Sequence, residues 1–379
     1  MKLTFDDNGL HKKLAPLTLT RPVCDIRFGI LTIRESWCKL LHVTAENCSF
    51  NTEPYLNCKF AAASSDQLVI AGNVKPTTEL AHWVSTLGEN EKLMVNGVWV
   101  ASGSSNADKV IDRSISQFIH IENSWDIFQM AGDAIQIDFE LLTAGKKSAP
   151  LSATNTLIGN QLFIEKGARV ECSSINTNSG PVYITKNAEV MEGCMIRGPF
   201  ALGESAVLKM GAKIYGPTSI GPHCKIGGEV TNCMFQAYSN KGHDGFLGNS
   251  VVGEWCNFGA DTNSSNLKNN YSNVRIYSFD TGQMTDTNVQ FCGVLMGDHS
   301  KTGINTMLNT ATTVGVCANI FNAGFPPKYI PSFSWGGFGN ERFILEKAFE
   351  VAKNMMGRRS VELTTDDKAI LSHLYNSLA

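Results

Sequence analysis

The chain has 379 residues, of which 43% are hydrophobic, so it is long enough for two or three domains with substantial cores. The formal net charge is only −3, and no basic stripe is present, which argues against nucleic acid as a partner. No apolar run reaches about 18 residues and no secretory signal opens the chain, so we expect a cytoplasmic protein without membrane spans. The 11 cysteines form no CxxC pair, which favours reduced, buried thiols.

Residues 1–107 mix strand and helix patterns and predict an α/β domain. Strands are expected at 2–6, 68–71 and 93–101. A helix is expected at 77–87, with Thr77 as its N-cap. Residues 108–154 carry weaker patterns of both kinds, and we predict that they connect this domain to the next.

Aliphatic residues then recur at intervals of six, a period that belongs to neither an α-helix nor a single strand. The first array is Ile184, Val190, Ile196, Leu202, Leu208, Ile214, Ile220 and Ile226. The second is Met296, Thr302, Leu308, Val314 and Ile320. A coil with three flat faces has this period, with one inward side chain per face. The pattern predicts a parallel β-helix over residues 155–335.

The repeat is interrupted at about 231–246 and 263–290, and we expect function where loops leave the coils. Residues 242–262 read GHDGFLGNSVVGEWCNFGADT. This segment resembles the acetyltransferase domain of the bifunctional N-acetylglucosamine-1-phosphate uridyltransferase family. The flanking segments IGGEVTNC, NLKNNYSNVRI and PPKYIPSFSWGG resemble its archaeal and Bacteroidetes-type members. The resemblance implies a left-handed β-helix, acetyl-CoA as a substrate, and a homotrimer with active sites between subunits.

The resemblance also implies roles for individual residues. His243 falls on the catalytic base, and Asn257 and Phe246 fall on sugar-site positions. Lys241 is available for the substrate phosphate. Ala260, Asn266, Ile304 and Asn322 fall on acetyl-CoA contacts. The chemistry supports His243 independently, because acetyl transfer to an amine requires a base that accepts a proton near neutral pH.

Residues 14–37 read LAPLTLTRPVCDIRFGILTIRESW and resemble the opening of sugar-1-phosphate nucleotidyltransferases. The resemblance implies that Arg21 and Arg27 contact the phosphates of a nucleotide or sugar, with Mg²⁺ required only if this domain is active. Two departures stand against activity: the loop has only Gly9, and Val98 replaces the metal-binding aspartate after an Asn-Gly pair. The alternative is that both arginines are structural and pair with Asp25 or Glu35.

Residues 336–379 change to a helical period. We predict a helix that Asn340 caps and that stops near Gly357, and a second helix that starts at Thr365. Because the end of a solenoid exposes an apolar cross-section, we expect these helices to cap it.

The leading hypothesis is an acetyl-CoA-dependent N-acetyltransferase that acts on an amino-sugar phosphate or nucleotide-sugar. His243 is the base, transfer is direct, and no metal is resident. One alternative is a bifunctional enzyme whose N-terminal domain is an active nucleotidyltransferase, and another is a non-catalytic β-helix scaffold. A third is a zinc hydratase, which would need His223, His243 and His299 to converge.

Overall fold

The computed structural model describes residues 1–63 and 67–377. The N-terminal region contains one sheet with the spatial order β2-β1-β3-β5-β4-β6. Its strands are β1 (Leu3–Asp6), β2 (Cys48–Asn51), β3 (Leu68–Ala71), β4 (Glu91–Val95), β5 (Val98–Ser102) and β6 (Lys109–Arg113). β1 runs parallel to β2 and β3, whereas β5 is antiparallel to both of its neighbours. The fold class expected for this region is confirmed.

The helices of this region are α1 (Ile33–Leu40), α2 (Thr78–Ser85), α3 (Asp126–Gln129) and α4 (Ala131–Thr143). The predicted cap of α2 is confirmed, because the Thr77 hydroxyl accepts a hydrogen bond from the backbone N–H of Leu80. The single strand predicted at 93–101 is wrong. Asn96 and Gly97 both have positive φ, the geometry of a two-residue hairpin turn, and they split the segment into β4 and β5.

Residues 155–336 form a parallel β-solenoid with three faces, each a ladder of short strands. The first face comprises Thr156–Ile158, Ser174–Asn176, Met195–Arg197, Lys213–Tyr215, 229–231, 246–248, Asn263–Ser264 and Met307–Leu308. The second comprises Leu162–Ile164, Val182–Ile184, Phe200–Leu202, Thr218–Ile220, 233–235, 250–252, Leu295–Met296, Thr313–Val314 and Tyr329–Ile330. The third comprises Arg169–Val170, Glu189–Val190, Val207–Leu208, Lys225–Ile226, Asn240–Lys241, Lys301–Thr302, Asn319–Ile320 and Ser334–Gly336. The left-handed sense of the coil stays a prediction.

All thirteen residues of the two predicted aliphatic arrays are buried, which confirms the period-six interpretation. The first predicted interruption is wrong, because the coil continues through residues 231–246. Val230, Phe235 and Leu247 point inward there, but they are spaced unevenly. Seven-residue strands at Glu229–Phe235 and Phe246–Val252 bend from the first face to the second. This bend shortens the spacing between inward-facing residues on the two faces. The second interruption is real and contains an antiparallel hairpin, Arg275–Ser278 with Gln283–Asp286.

The three faces have different outer surfaces. The N-terminal region covers the second face, where Tyr183 is buried against Phe163 and the Ser219 hydroxyl donates to the carbonyl of Gly29 at 2.7 Å. The first face presents Met195, Tyr215 and Met307 to solvent, along with other partly exposed side chains. One face of the solenoid is therefore left open.

The C-terminal segment forms α5 (Leu345–Gly357) and α6 (Thr365–Ser377), and its last two residues lie outside the described residues. The predicted stop at Gly357 and start at Thr365 are confirmed. Asn340 does not cap α5, because a short strand at Glu341–Arg342 intervenes and pairs with Ser334–Gly336. The helices do not simply close the solenoid end. α5 packs along its side against Trp255, and α6 reaches Leu56 of the N-terminal region. No helix of the described chain is long and apolar enough to cross a lipid bilayer.

Candidate active site

Two edges of the third face carry distinctive side chains. The edge toward the second face, here called the aromatic corner, carries His223, Tyr238, Trp255 and His299 on successive coils. Their rings are nearly parallel, with centroids 4.8, 4.1 and 6.4 Å apart. All four residues have φ between 56° and 61°, so the corner repeats one strained turn in every coil. This stack is the surface on which Ala352 and Met356 of α5 pack.

The edge toward the first face, here called the histidine corner, carries His243, Ala260, Ile304 and Asn322. Backbone hydrogen bonds stack these turns: Asp261 donates to the carbonyl of Asp244 at 3.1 Å, and Asn305 donates to that of Ala260 at 2.8 Å. His243 is exposed there, and no described side chain hydrogen-bonds its imidazole. The ring is thus free to meet a substrate.

A polar ladder runs along the outer surface of the third face between the two corners. Lys225, Asn240, Asn257 and Lys301 pair with one another in sequence across four adjacent coils. Each directly precedes an inward-facing residue, so the alternation of side chains along a strand turns all four outward. The solenoid therefore positions Asn257 on a rigid surface beside His243.

α5 lies over this ladder and leaves a cavity of about 760 Å³, within the range of small-molecule sites. The residues that line it are Lys209, Lys225, Tyr238, Asn240, Gly242, His243, Trp255, Asn257, Phe258, Gly259, Ala260, Lys301, Ile304, Asn354, Met355, Arg358 and Arg359. Four of the predicted site residues meet here: His243, Asn257, Ala260 and Ile304. They are 61 residues apart in the chain at most, and the coil brings them into one cavity.

The cavity is strongly positive. Of the described residues, five lysines or arginines line it, and no carboxylate does. Burial lowers the pKa of Lys225, and the nearby charges of Arg359, Lys209 and Arg358 lower it further. None of these five cations was predicted as a site residue. The ladder position shared by Lys225, Asn257 and Lys301 was a signal for two of them, but nothing in the sequence placed α5 over this face.

Lys241 was predicted to bind the substrate phosphate, but the structure places it inside the coil. It pairs with Ile226 at an inward-facing position and is 2% exposed. Its ammonium donates to the carbonyls of Gly227 and His243, at 3.0 Å each, and burial lowers its pKa to about 8. Lys241 therefore supports the turn that carries His243 from within, and it does not line the cavity.

Three other predicted residues also lie outside the cavity. Phe246 and Asn266 lie close together on the first face, where both would touch a Cβ placed on Gly248. The Asn266 amide donates to Asn249 at 2.8 Å. Asn322 continues the histidine corner one coil beyond Ile304 and is exposed. Within one chain, these three residues are therefore separated from the four that line the cavity.

Arg21 and Arg27 tie the N-terminal region to the solenoid. Arg21 forms ion pairs with Asp298 and, at 3.1 Å, with Glu254. Arg27 donates from its backbone N–H and its Nε to Gln236, at 2.7 and 3.0 Å. The alternative, that both arginines are structural, predicted ion pairs with Asp25 or Glu35. Only Arg27 forms such a pair, with Glu35 at 3.7 Å.

Neither arginine is free to neutralise a phosphate in this arrangement. Both line a second cavity, of about 480 Å³, between the N-terminal region, the aromatic corner and the C-terminal helices. The other cations there are also paired, Arg34 with Asp25 and Lys59 with Asp367.

The residues do not fit either metal site considered from the sequence. His223 and His299 lie on the aromatic corner and His243 on the opposite edge, so the three do not converge. In the N-terminal region, Val98 begins β5 with an apolar side chain at the position where the resemblance places a metal-binding aspartate. The described residues contain no group of three or more His, Cys, Asp or Glu side chains arranged to hold a metal ion.

Comparison with known proteins places this geometry in context. Residues 3–147 match the model for the sugar nucleotidyl transferase family. A bifunctional protein GlmU from Gloeothece citriformis is 27% identical over 207 residues, 54% of this chain and 36% of that protein. GlmU from Clostridium beijerinckii is 24% identical over 244 residues, 62% of this chain and 44% of its own length.

Of these three relatives, an archaeal protein has the largest fraction of its own length covered by the match. The bifunctional sugar-1-phosphate nucleotidylyltransferase/acetyltransferase of Sulfurisphaera tokodaii is 28% identical over 214 residues, 55% of this chain and 52% of that protein. The chain spans about a third to a half of the length of these curated relatives. The resemblance predicted from the sequence is confirmed: the chain combines a region that matches the sugar nucleotidyl transferase model with a β-solenoid, and it is related to bifunctional nucleotidylyltransferase/acetyltransferases.

Proposed function

We propose that the protein is an acetyl-CoA-dependent N-acetyltransferase that acts on an amino-sugar phosphate or nucleotide-sugar. The observation that carries this proposal is the meeting of His243, Asn257, Ala260 and Ile304 in one cavity. A family resemblance had suggested each of them separately. Their convergence in a positively charged cavity suits two phosphate-bearing substrates. The names of the relatives, which join nucleotidyl transfer with acetyl transfer, support the second of those activities.

In this proposal the exposed imidazole of His243 removes a proton from the attacking amine of the sugar. The amine then adds directly to the thioester carbonyl, and CoA leaves as the thiol. Backbone N–H groups at the histidine corner are suited to stabilise the oxyanion, because such donors are fixed before the reaction begins. Asn257, half-buried on the ladder beside this corner, orients the acceptor. Ala260 and Ile304 border the acetyl-CoA site.

We further propose that the active protein is a homotrimer. Phe246 and Asn266 lie on the open first face, away from the cavity of their own chain. A neighbouring subunit packed on that face would place its own cavity beside Phe246 and Asn266 of this chain. The exposed side chains of Met195, Tyr215 and Met307 give this face an apolar surface suited to such contact.

The test is a panel of amino-sugar phosphates and nucleotide-linked amino sugars, each incubated with acetyl-CoA and the full chain. Release of the CoA thiol and a mass increase of one acetyl group on the sugar are the expected results. Calorimetry with acetyl-CoA provides an independent measurement. The absence of both acetyl-CoA binding and turnover would favour the scaffold alternative.

A bifunctional enzyme is the second candidate, and the comparisons support it better than an acetyltransferase alone. The family-model match over residues 3–147 is the specific observation in its favour. The geometry gives it less support, because Arg21 is bound to Asp298 and Val98 begins β5 at the predicted metal position. Pyrophosphate release from a nucleoside triphosphate and a sugar-1-phosphate, with Mg²⁺ added, decides between the two candidates.

A further inference from the structure

The positive charge of the first cavity is concentrated at one end. Lys225 lies on the third face, and Lys209 donates its backbone N–H to the carbonyl of Ile226 beside it. Arg358 and Arg359, which follow the last residue of α5, approach from the other side. The four charges therefore come from two separate elements, the solenoid and the C-terminal helix, and they face one another across the cavity.

The backbone and side chains hold Arg359 in this position. Its backbone N–H donates to the carbonyl of Met356 at 2.8 Å, and its guanidinium donates to the side chain of Asn240 at 3.2 Å. Asn240 belongs to the outer ladder between Lys225 and Asn257. Arg359 is thus anchored to the same row of side chains that carries the proposed substrate contact.

A helix C-terminus attracts cations, which accounts for arginines at the end of α5. It does not account for lysines placed opposite them. No described carboxylate forms an ion pair with Lys209, Lys225, Arg358 or Arg359, whereas the buried cations Arg21 and Lys75 are paired. Like charges brought together without a counter-ion destabilise the folded chain, and a bound anion would remove that cost.

We propose that this end of the cavity is a phosphate subsite, built within one chain by Lys209 and Lys225 of the solenoid and Arg358 and Arg359 after α5. This inference rests on the proposed function for the identity of the substrate, but not for the binding of an anion. It assigns the C-terminal helix a part in the site, and it replaces Lys241 as the source of positive charge for a substrate phosphate. The bound group is a phosphate of the amino-sugar acceptor or of acetyl-CoA.

The subsite is tested first without turnover, by calorimetry of inorganic pyrophosphate binding to the full chain. Lys225→Met and Arg359→Ala should each weaken binding about tenfold, because each removes a charge-assisted contact. Lys166→Met is the matched control for the lysine, since Lys166 is an exposed lysine of the solenoid, between the second and third faces, and does not line the cavity. Lys353→Ala is the control for the arginine, because Lys353 is exposed on α5 and does not line the cavity.

Steady-state kinetics then identify the source of the phosphate. A rise of about tenfold in the KM of the phosphorylated acceptor, with the KM of acetyl-CoA unchanged, assigns the subsite to the acceptor. The reverse pattern assigns it to the coenzyme. Equal pyrophosphate binding by the wild type, both cavity variants and both controls would overturn the proposal. Should no acceptor be acetylated while the binding pattern holds, the proposed function fails and the phosphate subsite stands.

Lys225→Met also separates a loss of anion binding from a loss of folded structure. Lys225 is an outward-facing residue of a regular coil, so its loss leaves the packing of α5 intact. If Arg359→Ala loosens α5, the lysine variant still reports on the subsite, with circular dichroism as the check on its fold.

Discussion

Two cavities that meet at the aromatic corner are both rich in arginine and lysine, but only one of them pairs these charges with carboxylates. In the cavity between the N-terminal region and the solenoid, Arg21, Arg34 and Lys59 each have a carboxylate partner. In the cavity under α5, five cations line the wall, and no carboxylate from the part of the chain that the structure describes does so. Tyr238 and Trp255 of the aromatic corner line both cavities, so only a thin wall separates them.

The difference indicates which cavity holds elements together and which receives a ligand. A buried cation with a carboxylate partner fixes the relative position of two chain segments, and removal of one partner leaves a costly unpaired charge. A group of cations without partners has a high affinity for anions. The first arrangement describes the interface of the N-terminal region, and the second describes the proposed active site. Each of the following variants tests one side of this contrast.

The largest effect is expected from His243→Ala. Loss of a general base typically slows a reaction about 100- to 10,000-fold, so acetylation by this variant should fall by that range in kcat. His243 is exposed, and among the described residues it hydrogen-bonds only through its backbone carbonyl, so the fold should not change. CoA-thiol release gives the rate, and size-exclusion chromatography checks the assembly.

His82→Ala is the matched control, because His82 is also an exposed histidine but lies on α2 of the N-terminal region and does not line the cavity. Its kcat should equal that of the wild type. Wild-type turnover by His243→Ala would show that the open cavity is not the acetylation site. The proposed difference in function between the two cavities would then not hold.

Arg21→Ala tests the paired cavity. The side chains of Arg21 and Asp298 are 8% and 6% exposed, so the variant leaves a nearly buried carboxylate without its partner. The expected loss is about 3–5 kcal/mol in the free energy of unfolding, measured by denaturant titration. Lys109→Ala, which breaks the exposed pair with Glu91, should cost less than about 1 kcal/mol. Unchanged stability together with lost nucleotidyl transfer would instead make Arg21 a ligand for nucleotide phosphate.

How well the sequence predicted these features depended on whether the interactions were local or distant. The period of six identified the inward residues of the regular coils, because each coil repeats the same local geometry. It failed at Lys241, where the coil continues with uneven spacing and a lysine takes an inward place that aliphatic residues fill in the coils from Ile184 to Ile226. Arg358 and Arg359 could not be assigned to the site, because their position depends on how α5 packs against Trp255, about 100 residues earlier in the chain.

The aromatic corner, which both cavities share, should make stability depend on pH. Burial lowers the pKa of His299 to about 4, whereas an unfolded histidine titrates near 6.5. The unfolded chain therefore binds a proton below pH 6.5 that the folded chain does not bind. The contribution to stability is complete above pH 6.5 and falls by about 3 kcal/mol as the pH drops to 4.

His299→Gln removes this titration, so its unfolding free energy should decline less than that of the wild type between pH 6.5 and 4. The difference between the two curves isolates His299 from the carboxylates that titrate in the same range. Parallel curves would mean that the pKa of the imidazole is the same in the folded and the unfolded chain. The aromatic corner would then not be the water-excluding wall that separates the two cavities.

The smallest effect is expected from Ile304→Ala at the rim of the open cavity. Ile304 is 73% exposed on the histidine corner and lines the open cavity, so a ligand in that cavity would contact it. If acetyl-CoA covers it, truncation to alanine removes about 1 kcal/mol of apolar contact, so the KM for acetyl-CoA should rise roughly fivefold with kcat unchanged. Met210→Ala, at another exposed residue outside the cavity, should leave both constants as they are. A KM that stays constant while the trimer dissociates would place Ile304 in a subunit contact, and the coenzyme would then lie elsewhere along the third face.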